Sequence, residues 1–229
     1  MKTIAFIPVR KGSKGIPGKN LNLLDGKPLV CWILDTVVES AFADSVWVAT
    51  DCDEMERLVR ERYPGLVNVF RRSAASATDT APSILVVQEF LEVHPFDPAD
   101  RFVLLQATSP FTSAAELQAL KAELAAEEYD SFVACYRLKK FRWSEAGHPL
   151  DYTFTDKPRR QDYKGLLMES GAYYVSSIGS IRSTGQLISG KVKVVEISQA
   201  GMIDIDEPAD WRLAEWYIHT YLHGKRETP

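Results

Sequence analysis

The chain has 229 residues, 45% of them hydrophobic and 25% charged, with a formal net charge of -4. This is the composition of an ordinary globular protein large enough for one substantial core. The acidic balance excludes the spread basic footprint expected of a nucleic-acid or anionic-membrane binder. Cys31, Cys52 and Cys135 are too few and too scattered for a disulfide framework or a four-ligand zinc site, and they read as free thiols in a reducing cytoplasm. The N-terminal apolar run is too short for a signal peptide, and no run approaches the ~20 residues of a membrane span, so a cytoplasmic protein is expected.

Thr3 to Val9 is continuously apolar and predicts a strand covered on both faces of a parallel sheet. Next comes Arg10-Lys11-Gly12-Ser13-Lys14-Gly15-Ile16-Pro17-Gly18-Lys19-Asn20, a cationic, glycine-bearing loop. It offers backbone N–H groups and positive charge to something strongly anionic, such as a nucleoside triphosphate. Pro28 to Ser40 is apolar on nearly every side and predicts a buried helix. A strand at Ser45 to Thr50, a charged helix at Asp53 to Tyr63 and a strand at Leu66 to Phe70 follow. After Pro82, Ile84, Val87 and Leu91 recur at helical spacing, and Phe102 to Gln106 restores a strand pattern. Ser113 with Glu116 marks a capping box before Leu117, Leu120 and Leu124. Ser131 to Tyr136 predicts a further strand.

From residue 137 to 165 the chain turns polar, with prolines at Pro149 and Pro158, while Phe141, Trp143, Tyr152 and Phe154 give it material to pack. This predicts an excursion from the core. Strand patterning resumes at Gly171 to Val175 and Val192 to Ile197, and a helix is expected around Trp211 to Leu222. The alternation predicts an α/β fold: one domain over residues 1–229, Rossmann-like, three-layer α/β/α, with a mostly parallel sheet. Ligands of such sheets bind outside the carboxyl ends of the strands, where the polar motifs of this chain fall.

Arg10, Lys14 and Lys19 can neutralise phosphate oxygens, but neither G-x-x-x-x-G-K-[ST] nor G-x-G-x-x-G occurs here. Within Arg72 to Ser83, Asp79-Thr80-Ala81-Pro82 reads as a helix start whose N–H groups could also face a nucleotide. Gln106-Ala107-Thr108-Ser109-Pro110 ends a strand in amide and hydroxyl groups suited to a polyhydroxylated substrate. In Ile203-Asp204-Ile205-Asp206 two carboxylates share one face of an extended segment, a donor set suited to Mg²⁺. Ser109 has no visible histidine partner, which excludes a serine-hydrolase triad. His94, His148, His219 and His223 lack further metal ligands in the sequence, and His219 with His223 reads as polar surface.

In this order, Arg10 to Asn20, Arg72 to Ser83, Leu104 to Pro110, Phe141 to Glu145, Pro158 to Asp162, Glu169 to Tyr174 and Ile203 to Asp206 resemble the sialic-acid type of cytidylyltransferase. These are the CMP-N-acetylneuraminate synthetases and their relatives acting on other nine-carbon ulosonic acids. The resemblance implies transfer of CMP from CTP to the anomeric hydroxyl of N-acetylneuraminate, Kdn or a related nonulosonic acid, with release of pyrophosphate. It implies that Arg10 and Lys19 bind and stabilise the triphosphate, supported by Ser13 and Lys14, while Asn20, Arg72 and Ser83 hold the cytidine nucleotide. Gln106, beside Thr108 and Ser109, would contact the sugar acid, and Asp204 and Asp206 would position Mg²⁺. Arg159 and Arg160 match the family's basic pair, with Arg159 as the active-site member.

The resemblance also implies a homodimer in which the 137–165 excursion reaches the neighbouring subunit's site. Ser170-Gly171 stands where the family commonly has Asn-Gly, and Met168 is less polar than the pattern; both bear on the choice of sugar. The match covers the transferase core, without the further C-terminal domain of the animal enzymes. The rival readings are a Kdo cytidylyltransferase or other sugar nucleotidylyltransferase, and a catalytically silent nucleotide-binding protein. The joint presence of Arg10, Lys19, Asp204 and Asp206 counts against the silent one.

Overall fold

The first apolar run forms β1 (Thr3–Pro8) inside a seven-stranded sheet, in a computed structural model that describes residues 1–125 and 128–223. The cationic loop then leads into a short hairpin, β2 (Leu23–Leu24) and β3 (Lys27–Pro28), and into α1 (Leu29–Ser40). After these come β4 (Ser45–Thr50), α2 (Asp53–Arg62), β5 (Asn68–Arg71), α3 (Ser83–Val93), β6 (Arg101–Leu105) and α4 (Ala114–Leu124). The second half carries β7 (Ser131–Leu138), β8 (Leu166–Ser177), α5 (Ile178–Thr184), β9 (Val192–Glu196) and α6 (Pro208–Tyr217). A 3-10 turn, Gln199–Met202, precedes α6, and a π turn, Ile218–His223, follows it.

The strand order is β5-β4-β1-β6-β8-β7-β9, and β8 alone runs against the others. The side-chain alternation of β1 shows why it is apolar throughout. Ala5 and Ile7 enter one buried cluster with α1, α2 and α4, while Ile4 and Phe6 enter another with α3 and α5 on the opposite face. In the second cluster Phe90 packs its ring 4.8 Å from Phe6 and 5.3 Å from Phe70. Truncating such a fully buried phenylalanine to alanine costs on the order of 3–5 kcal/mol. A third cluster joins Leu24 and Leu29 to Ile203, Ile205, Ala214 and Ile218 beside the cationic loop.

The predicted α/β alternation and mostly parallel sheet are present. Three elements gave no sequence signal: the β2–β3 hairpin, α5 and the 3-10 turn are short, and none repeats an apolar period. β8 is longer than its apolar stretch because Leu167, Met168 and Glu169 are exposed and leave no alternation to read. The last helix starts at Pro208, three residues earlier than its aromatic pattern suggests, because Glu207 and Asp210 close a capping box there. Residues 139–165 leave the sheet where Leu138 pairs with Leu166, and the Arg142 guanidinium and backbone N–H both bond Asp151 within this excursion. Among the described residues no helix is long and apolar enough to cross a membrane.

Candidate active site

The carboxyl ends of β1, β4, β5 and β6 lie along one edge of the sheet, and each releases a polar segment there. Hydrogen bonds between these segments set their relation: Arg72 N–H donates to the Thr50 carbonyl, Lys11 N–H to Asp51 Oδ1, and Ile205 N–H to the Thr108 carbonyl. The last bond carries the Asp204–Asp206 segment to the edge. There Ile203 and Ile205 point into the apolar cluster and their neighbours Asp204 and Asp206 line the cavity. Gly15 lets the cationic loop lie directly on that segment, since a Cβ there would overlap the Asp206 carbonyl oxygen.

β8 reaches the same edge from the opposite direction. Its pairing with β7 passes from Val133–Tyr174 to Cys135–Glu169, so the intervening β8 residues bulge out opposite Ala134. Gly171 takes φ +78 in the bulge and faces Asp204. The result is a cavity of about 380 Å³ lined among others by Arg10, Lys19, Arg72, Gln106, Asp204 and Asp206.

Charge in the cavity is arranged in two pairs. Lys19, only 7% exposed, donates to the Ile205 carbonyl at 2.6 Å and to Asp206 Oδ1 at 2.8 Å. Arg10 lies 2.7 Å from Asp79 Oδ1 and donates to the Thr78 carbonyl at 2.8 Å. Arg72 is tied to Ser76, and burial lowers its pKa. Burial is also the main force raising the pKa of Asp204; nearby Asp206 adds to it, while the Thr108 hydroxyl and Lys19 partly offset it. Among the described residues, Asp204 Oδ1 and Asn20 Oδ1 are both buried without a hydrogen-bond partner. No side chain caps α3, whose first residue Ser83 lines the cavity, so free N–H groups of its first turn stand close by.

Of the residues singled out from sequence, Arg10, Ser13, Lys19, Asn20, Arg72, Ser83, Gln106, Thr108, Asp204 and Asp206 converge on this cavity. Lys14 does not line the cavity; its ammonium is largely in solvent, 3.8 Å from Asp79 of the lining. Ser109 is 1% exposed and lies beneath the lining, because the chain turns inward after Thr108. Arg159 and Arg160 belong to the excursion and are exposed outside the cavity, Arg159 pairing with Asp162 at 2.7 Å.

Ser170 is turned into the sheet: its hydroxyl donates to the Ala134 carbonyl and accepts the Ala172 N–H. Met168 lies opposite Tyr136, off the cavity lining. Sequence reasoning missed Asp79, Gly171 and Tyr174 as lining residues. Asp79 carried a signal, an acid beside a helix start in a chain whose other anion-site segments are basic. Tyr174 carried none beyond closing the Glu169 to Tyr174 segment of the family resemblance, since its neighbours read as a plain strand; its hydroxyl donates to Glu169, and burial raises its pKa.

A family model described as cytidylyltransferase matches residues 4–174, a span that includes all but the first residue of β1, the cationic loop, the Gln106 segment and the β8 bulge. The chain belongs to the cytidylyltransferase family. Within it, this family member is 35% identical to an N-acylneuraminate cytidylyltransferase of Oncorhynchus mykiss over 92% of its own length and 49% of the relative's. It is 28% identical to an N-acylneuraminate cytidylyltransferase of Streptococcus agalactiae serotype V over 97% of its length and 53% of the relative's. The chain thus spans about half the length of these relatives. The fold is also that of a CMP:2-keto-3-deoxy-manno-octonic acid synthetase solved with CTP, at TM-score 0.68 and 18% identity, covering 96% of this chain and 99% of that one.

Proposed function

We propose that this chain transfers CMP from CTP to the anomeric hydroxyl of a nine-carbon ulosonic acid of the N-acylneuraminate class. The observation that carries this reading is the meeting of two carboxylates with Arg10, Lys19 and Arg72 in one cavity at the edge of the sheet. The names of the relatives from trout and streptococcus supply the substrate class.

Mg²⁺ fits the donor set. Asp204 presents a buried oxygen with no hydrogen-bond donor, and Asp206 lines the same cavity. These two residues would hold the ion, which when bound lowers the pKa of the anomeric hydroxyl and neutralises charge at the α-phosphate. Arg10, Arg72 and the first turn of α3 receive phosphate oxygens. Lys19 fixes the Asp206 carboxylate and adds positive charge beside the departing pyrophosphate. The partnerless Asn20 oxygen accepts from a nucleotide N–H or O–H, and Gln106 and Thr108 face the sugar acid. The anomeric oxygen forms its bond to the α-phosphorus as the bond to the β-phosphate bridge breaks, and its proton passes to solvent. Positioning and charge neutralisation carry such a displacement without a dedicated protein base.

The excursion is proposed to act across a homodimer, bringing Arg159 and Arg160 to the other subunit's sugar acid. Its exposed Trp143, Leu150 and Phe154 are apolar material for that contact.

Incubation with each nucleoside triphosphate, Mg²⁺ and a panel of ulosonic acids tests the reaction. Pyrophosphate and CMP-sugar are expected with CTP and a nine-carbon acid; preference for the eight-carbon Kdo overturns the substrate class, and CTP binding without turnover on any acid overturns the enzyme. Mixing the inactive variants Arg159→Ala and Asp206→Ala tests the dimer, because a mixed dimer regains one intact site only if Arg159 acts in trans. Absence of rescue in a verified mixed dimer overturns that role.

A further inference from the structure

The fold brings together three metal-ligating side chains that do not line the cavity. Asp25 sits at the tip of the β2–β3 hairpin, and His219 and His223 lie on the π turn after α6. One potential ligand atom from each falls within 4.8 Å of the others. We propose that Asp25, His219 and His223 form a second metal site, selective for a borderline divalent cation of the Zn²⁺ type and separate from the carboxylate pair of the cavity.

The donors are presented by held backbone. Asp25 and Gly26 have φ of 51° and 76°, so both residues of the two-residue hairpin turn are left-handed and the tip has one defined shape. On the other side Ile218 is fully buried, and Tyr217 packs its ring 4.7 Å from Phe111, which anchors the start of the π turn. His223 Nε2 already lies 3.0 Å from Asp25 Oδ2, close to the ~3.3 Å edge of a tetrahedron with metal bonds of about 2.0–2.1 Å. The His219 ring lies 5.5 Å from that of His223, and being exposed it can turn to close the third corner.

Chemistry separates this site from the first. Two imidazoles and one carboxylate suit Zn²⁺, with water in the fourth position, whereas Mg²⁺ and Ca²⁺ favour all-oxygen shells. A cation here bridges two segments that also meet through the His223–Asp25 contact and through the third apolar cluster, in which Leu24 and Ile218 pack with Ile203 and Ile205. Ile203 and Ile205 back the cavity carboxylates. The metal therefore acts as an outer staple on the packing behind Asp204 and Asp206.

The test uses the purified chain in the Asp204→Asn/Asp206→Asn background, so that Zn²⁺ cannot report on the cavity. Isothermal titration with ZnCl₂ should show one equivalent bound and a higher Tm, and excess Mg²⁺ should not compete. His219→Ala/His223→Ala in the same background should weaken Zn²⁺ binding at least about tenfold, with the metal-free Tm little changed. Asp25→Asn should also weaken it, and cobalt substitution should give a visible band that vanishes in the histidine variant. No binding at micromolar Zn²⁺, or equal binding with and without the two histidines, overturns the site. Neither result depends on whether the cavity turns over CTP.

Discussion

Lys19 and Asp206 form an ion pair at 2.8 Å in which the lysine is almost wholly enclosed and the carboxylate side chain is 72% exposed. The ammonium is therefore the fixed member and Asp206 the one held. Lys19→Met keeps the apolar stem and removes the charge. It should lower kcat by about 10²–10³-fold, the scale of losing one charge-stabilising donor, while far-UV circular dichroism stays unchanged. Activity that merely tracks a lowered folded fraction would show Lys19 to be a structural tie.

Asp79 occupies the Arg10 guanidinium that a triphosphate is proposed to claim. On the proposed reading CTP displaces this partly exposed pair, which contributes roughly 0.2–1 kcal/mol. Asp79→Asn should therefore tighten CTP binding about 1.4- to fivefold by calorimetry without the sugar acid. Weaker binding would show that Asp79 serves the nucleotide directly.

Asp204 links stability to pH. Burial raises its pKa above the ordinary 3.8, so the folded state binds its proton more tightly than the unfolded state does. Below the unfolded pKa both states are protonated and the residue costs nothing; as pH rises through the folded pKa, the buried charge destabilises the fold. Asp204→Asn should accordingly raise Tm at neutral pH, lose that advantage when the scan is repeated below pH 3.8, and abolish turnover. An advantage independent of pH would mean that the carboxylate is not the cause.

How far the sequence disclosed this molecule differs by element. β4 and the capping box at Ser113 and Glu116 were legible to the residue, because alternation and capping are written in adjacent positions. Arg10, Lys19, Gln106, Thr108, Asp204 and Asp206 were legible through charge and strand ends, whereas Ser13, Asn20, Arg72 and Ser83 owed their assignment to the family resemblance. Tyr174 and Asp79 were not assigned to the site: Tyr174 matters through Glu169, five residues back across the β8 bulge, and Asp79 through Arg10, which the fold brings near. The Asp25 contact with His223 was hidden for the same reason, since nearly the whole chain separates them.

Within the excursion, Asp151 accepts from the Arg142 side chain and backbone, and the Arg142 guanidinium is the main force holding its pKa below the ordinary value. Such a group stabilises above the unfolded pKa and ceases to as pH falls through the folded one. Asp151→Asn should speed proteolytic cleavage within residues 139–165 at neutral pH without lowering the global Tm. The unmodified chain should show the same cleavage only in strong acid; equal protection of both at neutral pH would remove the pair from that role.

The reversed direction of β8 has an architectural consequence. Because β7 leaves and β8 returns at one rim, the loop between them can lengthen, shorten or change its residues without moving a core strand. Its two anchor points, Leu138 and Leu166, pair with each other at that rim. On the proposed reading the scaffold separates a nucleotide half built on core strands from an interchangeable segment, the arrangement a protein engineer would choose to exchange acceptor sugars while leaving the donor untouched.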